Sequence, residues 1–526
     1  MADKNLLIGI GGTGSKIVEA FIHLCAAGLG PAQAEIGFIE QDSSNGNLGR
    51  ATRTLSCYLA LHHLLRGVNS PDHIRKDSEF CPTTLKPLGV PSGGLADITG
   101  CVWTPSAAAT PSILFGTPGM AAGPRALFNS LCDKAEANLD LGYGFQGRAH
   151  VGAMAMRDAA TGKFWDDIAE VIKGGEGVGT LQIFLAGSIF GGTGAAGFPT
   201  LARHIRNLIG DRHGIEVSGM LMLPYFSFGP SADPESAAVQ SSELAEQTKI
   251  SLEYYARLLE EQTGRPIFRD LYVLGWDPLF HLAYNEIGKQ NQCNPPLVPE
   301  LFAALAAANV FRGQVQSQAA GAKNGGAAKA AGNSWRVLGC ARADVAQFKW
   351  ADLTAVGDSP ATVAQQAIKR WLRFCFAWKY IYRAALNKNE RVKPKEQWFK
   401  LFGDTIAFEA ADYDSAVAAI DNYVDEALLW SAGLGFASKP SFELWKALPY
   451  AVYQQSTGFP KALLKTCAEV VPGSLDEVIV ADQPGVSVGT ARELFECMSS
   501  PMATGDSHGL GKLVDAVFEA SAAQAA

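Results

Sequence analysis

The tetrapeptide GGTG occurs twice, at Gly11–Gly14 and Gly191–Gly194, 180 positions apart. The first copy lies in "NLLIGIGGTGSKIVEAFIHL" and the second in "LQIFLAGSIFGGTGAAGFPTLARHIRNLI". Each follows a short, fully apolar run and opens a stretch with helical spacing, such as Ile17, Ala20, Phe21 and Leu24 after the first. A strand that is apolar on both sides has to be buried on both faces. Parallel strands satisfy this, because the helices that connect them cover the sheet above and below. "AEIGFIEQD", "TLQIFLAGS", "EVSGMLMLPYF" and "RDLYVLGWD" read as further strands, and "FPTLARHIRNLIGDR" as the helix between "TLQIFLAGS" and "EVSGMLMLPYF". The pattern predicts an α/β fold, a doubly wound parallel sheet, followed by a mainly helical C-terminal domain.

The remaining punctuation sets the predicted boundaries. "CVWTPSAAATPSILFGTPGMAAG" has no charge and several Pro and Gly, and reads as a long loop, either a functional lid or binding loop or a mobile surface loop. "NPPLVPELFAALAAANVFRGQ" predicts a buried central helix over 294–314, with Pro near its start and Glu300 in an early turn. "AAGAKNGGAAKAAGN" is low in complexity and reads as a flexible linker. The predicted division is therefore 1–318, a linker at 319–333, and 334–526. In the last part "TVAQQAIKRWLRFCFAWKYIYRAALNK" and "YDSAVAAIDNYVDEALLWSAGLG" predict amphipathic helices, "SWRVLGCARADV" and "DEVIVA" possible strands, and "VFEASAAQAA" a fraying tail. The aromatic helix from Trp371 to Tyr382 suits core packing, with a partner-binding face as the alternative.

Composition excludes several classes. The net charge is −8, which argues against a nucleic-acid-binding surface. Ten scattered cysteines without a CxxC point to reduced thiols in a cytoplasmic protein rather than a disulfide framework. "MADKNLLIGI" lacks the features of a signal peptide. The uncharged window Gly177–Ala202 carries seven glycines and a proline, so no membrane span is expected. The nine histidines show no HExxH or H-x₃₋₅-H pattern, and no protein-built metal centre is expected. No serine-hydrolase elbow is present either.

A glycine turn between strand and helix brings backbone N–H groups close to a phosphate, and the helix start adds partial positive charge. Alone, the first turn fits GxGxxG (Gly9, Gly11, Gly14), with Glu40 and Asp42 at the end of the next strand, as in a dinucleotide-binding oxidoreductase. The second turn changes the expectation. Two cradles suit a single nucleoside triphosphate, whose phosphate chain is long and highly charged.

With these segments in order, the chain resembles the tubulin/FtsZ superfamily, most of all its divergent prokaryotic tubulin-like members. "AGSIFGGTGAAGFP" resembles the glycine-rich signature, "GIGGTGSK" the opening turn, and "GFIEQDSSN" the next strand and its acidic loop. "MLMLPYFSF" resembles the strand after the signature, and "LFAALAAANVFRGQ" the central helix. The resemblance covers roughly 6–314. It implies GTP/GDP and Mg²⁺ as ligands and self-association into filaments or oligomers. Gly11, Gly12, Thr13 and Gly14, with the adjoining Ser15 and Lys16, would line the α/β-phosphates. Gly191, Gly192, Thr193, Gly194 and Ala195 would hold the β/γ-phosphates. Asp42 would sit near the γ-phosphate or its Mg²⁺, Glu235 or Ser231 near the ribose, and Asn309 at the guanine edge.

Three departures qualify these implications. Lys16 stands where the family usually has a base-facing Asn. Phe190 and Ala196 replace signature glycines. No Asp or Glu occurs between Glu300 and Asp344, where the family carries the acids that position the attacking water; Lys323 and Lys329 lie there instead. Hydrolysis is therefore expected to be weak or atypical. The alternatives left open are a Rossmann-type NAD/FAD oxidoreductase and a nucleotide-bound scaffold whose helical part binds a partner protein.

Overall fold

A computed structural model describes residues 4–67, 70, 72–91, 97–157, 161–175, 180–228, 241–260, 267–282, 288, 290, 292–313, 334–340, 361–386, 402–437 and 509–522. The strands are β1 (Lys4–Ile10), β2 (Gln33–Ile39), β3 (Thr84–Pro87), β4 (Val102–Trp103), β5 (Leu181–Ser188), β6 (Ile215–Met222), β7 (Phe226–Phe228), β8 (Asp270–Trp276), β9 (Phe280–Leu282) and β10 (Ser334–Cys340). The helices are α1 (Gly11–Ala26), α2 (Gly46–Arg66), α3 (Pro111–Leu114), α4 (Ala122–Leu131), α5 (Lys134–Ala137), α6 (Ala149–Met156), α7 (Lys163–Gly174), α8 (Gly192–Ile209), α9 (Ser241–Glu260), α10 (Val298–Phe311), α11 (Ala361–Ala377), α12 (Tyr413–Ala437) and α13 (Gly509–Ala520).

The main sheet has the order β10-β8-β6-β5-β1-β2-β3, with β4 also paired to β2, and its pairings are parallel. β1 and β5 are neighbours in register, Ile8 opposite Leu185 and Gly9 opposite Ala186. From β1 the chain winds outward through β2. From β5 it winds the other way through β6 and β8. The order reverses between β1 and β5, and in open α/β sheets ligands bind at the carboxyl edge of such a reversal. Right-handed crossovers in opposite directions place α1 and α8 on opposite faces. Phe184 of β5 reaches Phe311 of α10 (ring centroids 6.2 Å apart), and Phe311 meets Phe21 of α1 (5.7 Å). On the other side Phe198 of α8 stacks near Phe268 and Tyr255.

Two expectations change here. β10 pairs with β8 along seven residues, so Ser334–Cys340 lies in the main sheet. The linker itself lies outside the described residues, as does "DEVIVA". The uncharged insert is not one loop: it carries β4, α3 and the start of α4. The tail does not fray at 517–521. α13 buries Val517 and Phe518 beside Phe80 and Phe374 (Phe80–Phe518 centroids 4.9 Å), and Arg75 pairs with Asp515 at 2.7 Å.

The C-terminal helices close over α1 and α2. His23 of α1 is surrounded by Trp371, Tyr423 and Trp430, and burial, then Arg50, pushes its pKa down to about 3. Arg53 of α2 pairs with Glu426 of α12 at 2.6 Å. Trp371, Phe374, Phe376, Trp378 and Tyr382 are buried, so those aromatics of the predicted helix are core. No helix among the described residues is long and apolar enough to cross a membrane; from Leu181 onward the uncharged window is β5, a turn and the start of α8.

Candidate functional site

The two GGTG turns touch. A Cβ built on Gly11 would lie 3.0 Å from the Gly194 nitrogen and 3.5 Å from the Thr193 Cβ, and Gly11 has φ +75°. Only a residue without a side chain takes that backbone shape cheaply at such close approach. The glycines then divide by role. Gly14 packs against the carbonyl of Ala186, where a Cβ would come to 2.5 Å, and Gly194 packs against Ser188 at 2.7 Å. These two let the helices sit down on the strands. Gly12, Gly191 and Gly192 are half-exposed, as are Thr13 and Ala195, and they face the crevice.

Both helices start without a side-chain cap: α1 follows extended Ile10 and α8 follows extended Gly191. A helix start leaves up to four N–H groups without an intrahelical partner. By contrast, α2 beside them is capped by Asn45, which accepts from the N–H of Asn47 (2.9 Å) and of Leu48. Two uncapped helix starts therefore converge at the switch point.

The walls are polar and buried. The Thr193 hydroxyl donates to Glu40 Oε1 at 2.7 Å, and the Gln41 N–H donates to the same oxygen at 2.9 Å. Burial raises the Glu40 carboxyl to about 7, partly opposed by the Thr193 hydrogen bond and assisted by Asp42. Asp42 is 3% exposed and accepts from the N–H (3.1 Å) and hydroxyl (2.8 Å) of Ser44. Asn45 Nδ2 donates to Gln292 at 2.8 Å and the Asn294 N–H to Asn47 at 2.8 Å, so the segment before α10 closes on the start of α2.

A third glycine-bearing segment comes to the turns that the sequence reading did not single out. A Cβ on Gly192 would meet the Gly147 nitrogen and Phe145 at 2.9 Å, and one on Gly144 would meet Asp42 at 3.7 Å. Gly144, Gln146 and Gly147 all have positive φ. The alternation "GYGFQG", directly before a helix, is the signal that was available.

A buried triad braces the floor. Lys16 pairs with Glu300, both at most 2% exposed, and Tyr225 donates to the same carboxylate at 2.6 Å. Thr13 hydrogen-bonds Tyr225 in turn. The second Glu300 oxygen accepts the Leu297 N–H at 2.8 Å. Burial lowers the Lys16 pKa, opposed by Glu300. Arg50 binds Glu19 through Nε (2.7 and 2.9 Å) and the Asn294 carbonyl through Nη1.

The predicted site residues separate accordingly. Gly11, Gly12, Thr13, Gly14, Ser15, Gly191, Gly192, Thr193, Gly194 and Ala195 lie together where the two turns meet, with Asp42 close by across Gly144. Ser15 donates back to the Gly11 carbonyl at 3.2 Å. Both threonine hydroxyls are engaged by protein partners, so the two turns themselves present backbone N–H groups. Lys16 points inward to Glu300 rather than toward a phosphate or ribose. Asn309 lies on α10 nine residues after Glu300 (309 minus 300), about 13 Å further along the helix axis. Glu300, near the helix start, is the α10 side chain next to the first turn. Glu235, Ser231, Lys323 and Lys329 lie outside the described residues.

No protein-family model matches this chain, and no curated protein matches it. Among solved structures, similar chains include the helical model of the TubZ-Bt two-stranded filament, at 13% identity and a TM-score of 0.22, over 62% of this chain and 56% of that one. Another is the GTPγS-form protofilament of Bacillus thuringiensis serovar israelensis TubZ, at 13% identity and a TM-score of 0.23, over 60% and 56%. In both cases the match spans little more than half the length of the neighbour.

Proposed function

We propose that the chain binds one nucleoside triphosphate across the paired glycine turns, as a tubulin/FtsZ-like GTP-binding protein that self-associates and hydrolyses GTP slowly. The observation that supports a triphosphate best is the direct contact of two uncapped helix starts on adjacent parallel strands, β1 and β5. Anions are stabilised at such starts by the N–H groups and the helix dipole. A dinucleotide-binding sheet uses one glycine turn for its pyrophosphate; the second adds donors for further phosphate oxygens. The α1 turn would hold the α/β-phosphates and the α8 turn the β/γ-phosphates, with Gly147 closing the far side.

Guanine as the base, Mg²⁺ as the counter-ion and filaments as the assembly rest on the sequence resemblance. The donor set suits a phosphate-bound Mg²⁺: Asp42 and Glu40 offer carboxylate oxygen at the turn edge, and hard cations take oxygen ligands. When bound, the ion would neutralise charge on the terminal phosphates. Slow hydrolysis follows from the absence of acid between Glu300 and Asp344.

The test is equilibrium binding of a fluorescent GTP analogue with and without Mg²⁺, beside sedimentation with a non-hydrolysable analogue. One site per chain, weakened by EDTA, and nucleotide-dependent pelleting are expected. Absence of binding at millimolar analogue would refute the site. Binding without pelleting would favour the nucleotide-bound scaffold.

A further inference from the structure

Away from the glycine turns, three donors from separate parts of the insert converge: Cys132 after α4, Glu136 in α5 and His150 at the start of α6. Their ligand atoms all lie within 4.8 Å of one another. His150 Nε2 is 3.5 Å from Glu136 Oε1. Donors around a tetrahedral zinc ion stand roughly 3.3–3.8 Å apart, given its bond lengths, so small side-chain adjustments would close the set.

The cluster is pre-organised. Asp133 and Glu136 form a capping box: Asp133 Oδ1 accepts the Glu136 N–H at 2.7 Å, and Glu136 Oε2 accepts the Asp133 N–H at 3.1 Å. That fixes the Glu136 side chain through one oxygen and leaves Oε1 aimed at His150. Cys132 is 3% exposed, and its own N–H is tied to Phe128, so the sulfur is held by the end of α4. The half-exposed His150 gives an ion access from solvent. Arg148 Nε lies 3.6 Å from the same Oε1 and acts as the cation there when no metal is bound.

We infer that Cys132, Glu136 and His150 form a binding site for a zinc-class divalent cation, with water in the fourth position. Thiolate, imidazole and carboxylate together select a borderline-soft ion over Mg²⁺ or Ca²⁺. The spacing C-x₃-E-x₁₃-H matches no contiguous metal motif, which is why the sequence gives no hint of it. The ion would fasten the start of α6 to the α4–α5 corner. α6 directly follows the Phe145–Gly147 segment that packs on Gly192, so occupancy would also stiffen that wall of the crevice.

The test uses Co²⁺ as a probe on the full chain. One equivalent is expected to produce a sulfur-to-cobalt charge-transfer band with the intense visible bands of a tetrahedral ion, both erased by Zn²⁺ and untouched by excess Mg²⁺. Cys132→Ser should abolish the charge-transfer band. His150→Ala and Glu136→Gln alter exposed or half-buried positions and leave the fold intact; each should weaken Co²⁺ affinity roughly tenfold or more. A wild type without the band, a band retained by Cys132→Ser, or unchanged affinity in His150→Ala would each overturn the assignment.

Discussion

Glu40 is a buried ionisable residue of the crevice wall, bonded to Thr193 of the second turn. Its carboxyl, ordinarily near 4.5, titrates at about 7 because burial disfavours the charged form. Between those values the folded chain keeps a proton that the unfolded chain has lost. Stability without nucleotide therefore falls as pH rises from about 5 to about 8, by roughly 3 kcal/mol from this group. Glu40→Gln removes that slope, so wild type and variant should differ most near pH 8 and least below pH 5 in denaturant titrations. The glycines give a second contrast. Gly14→Ala drives a methyl to 2.5 Å from the Ala186 carbonyl and should cost several kcal/mol. Gly12→Ala meets the Asn47 amide at 3.3 Å and the Asn45 amide at 3.7 Å, contacts that side chains can relieve, so it should fold normally and lose about tenfold or more in nucleotide affinity. Equal effects of the two on folding would contradict the division of roles. The glycines were legible because their spacing is local. The partners of Lys16 and Thr193 were not, since Glu300 and Glu40 lie far away in the chain.

At the scale of elements, the Lys16–Glu300–Tyr225 brace ties α1 to α10 beneath the first turn. Removing one member strands a buried charge, so Lys16→Met should destabilise by about 3–5 kcal/mol, and adding Glu300→Gln should recover part of the loss. A purely additive double variant would show that the pair is not coupled. α13 supplies a further check. Phe518 is fully buried between Phe80 and Phe374, and Phe518→Ala should cost about 3–5 kcal/mol; a thermal melt unchanged from wild type would mean the helix does not dock. Apolar strands and the central helix were readable from periodicity. The docking of α13 was not, because "VFEASAAQAA" has tail-like composition and its seat is made by residues far away in the chain, among them Phe80, Phe374, Arg75, Asp72 and Arg370.

For the molecule as a whole, the switch point between β1 and β5 explains why two identical turns recur so far apart: the chain returns to the sheet centre and winds the other way. The parallel, doubly wound architecture was legible from strand–helix alternation. The continuation of the sheet into β10 was not, because a low-complexity stretch precedes it and resembles a boundary. Turnover should also reflect the missing acids: GTP hydrolysis is expected to be slow and nearly independent of protein concentration, and a steep rise with concentration in a phosphate-release assay would contradict that. The most direct test is to denature the purified chain and identify the nucleotide it releases. GTP or GDP near one equivalent is the predicted result. Release of NAD or FAD instead would show that the paired turns hold a dinucleotide and would contradict the triphosphate site.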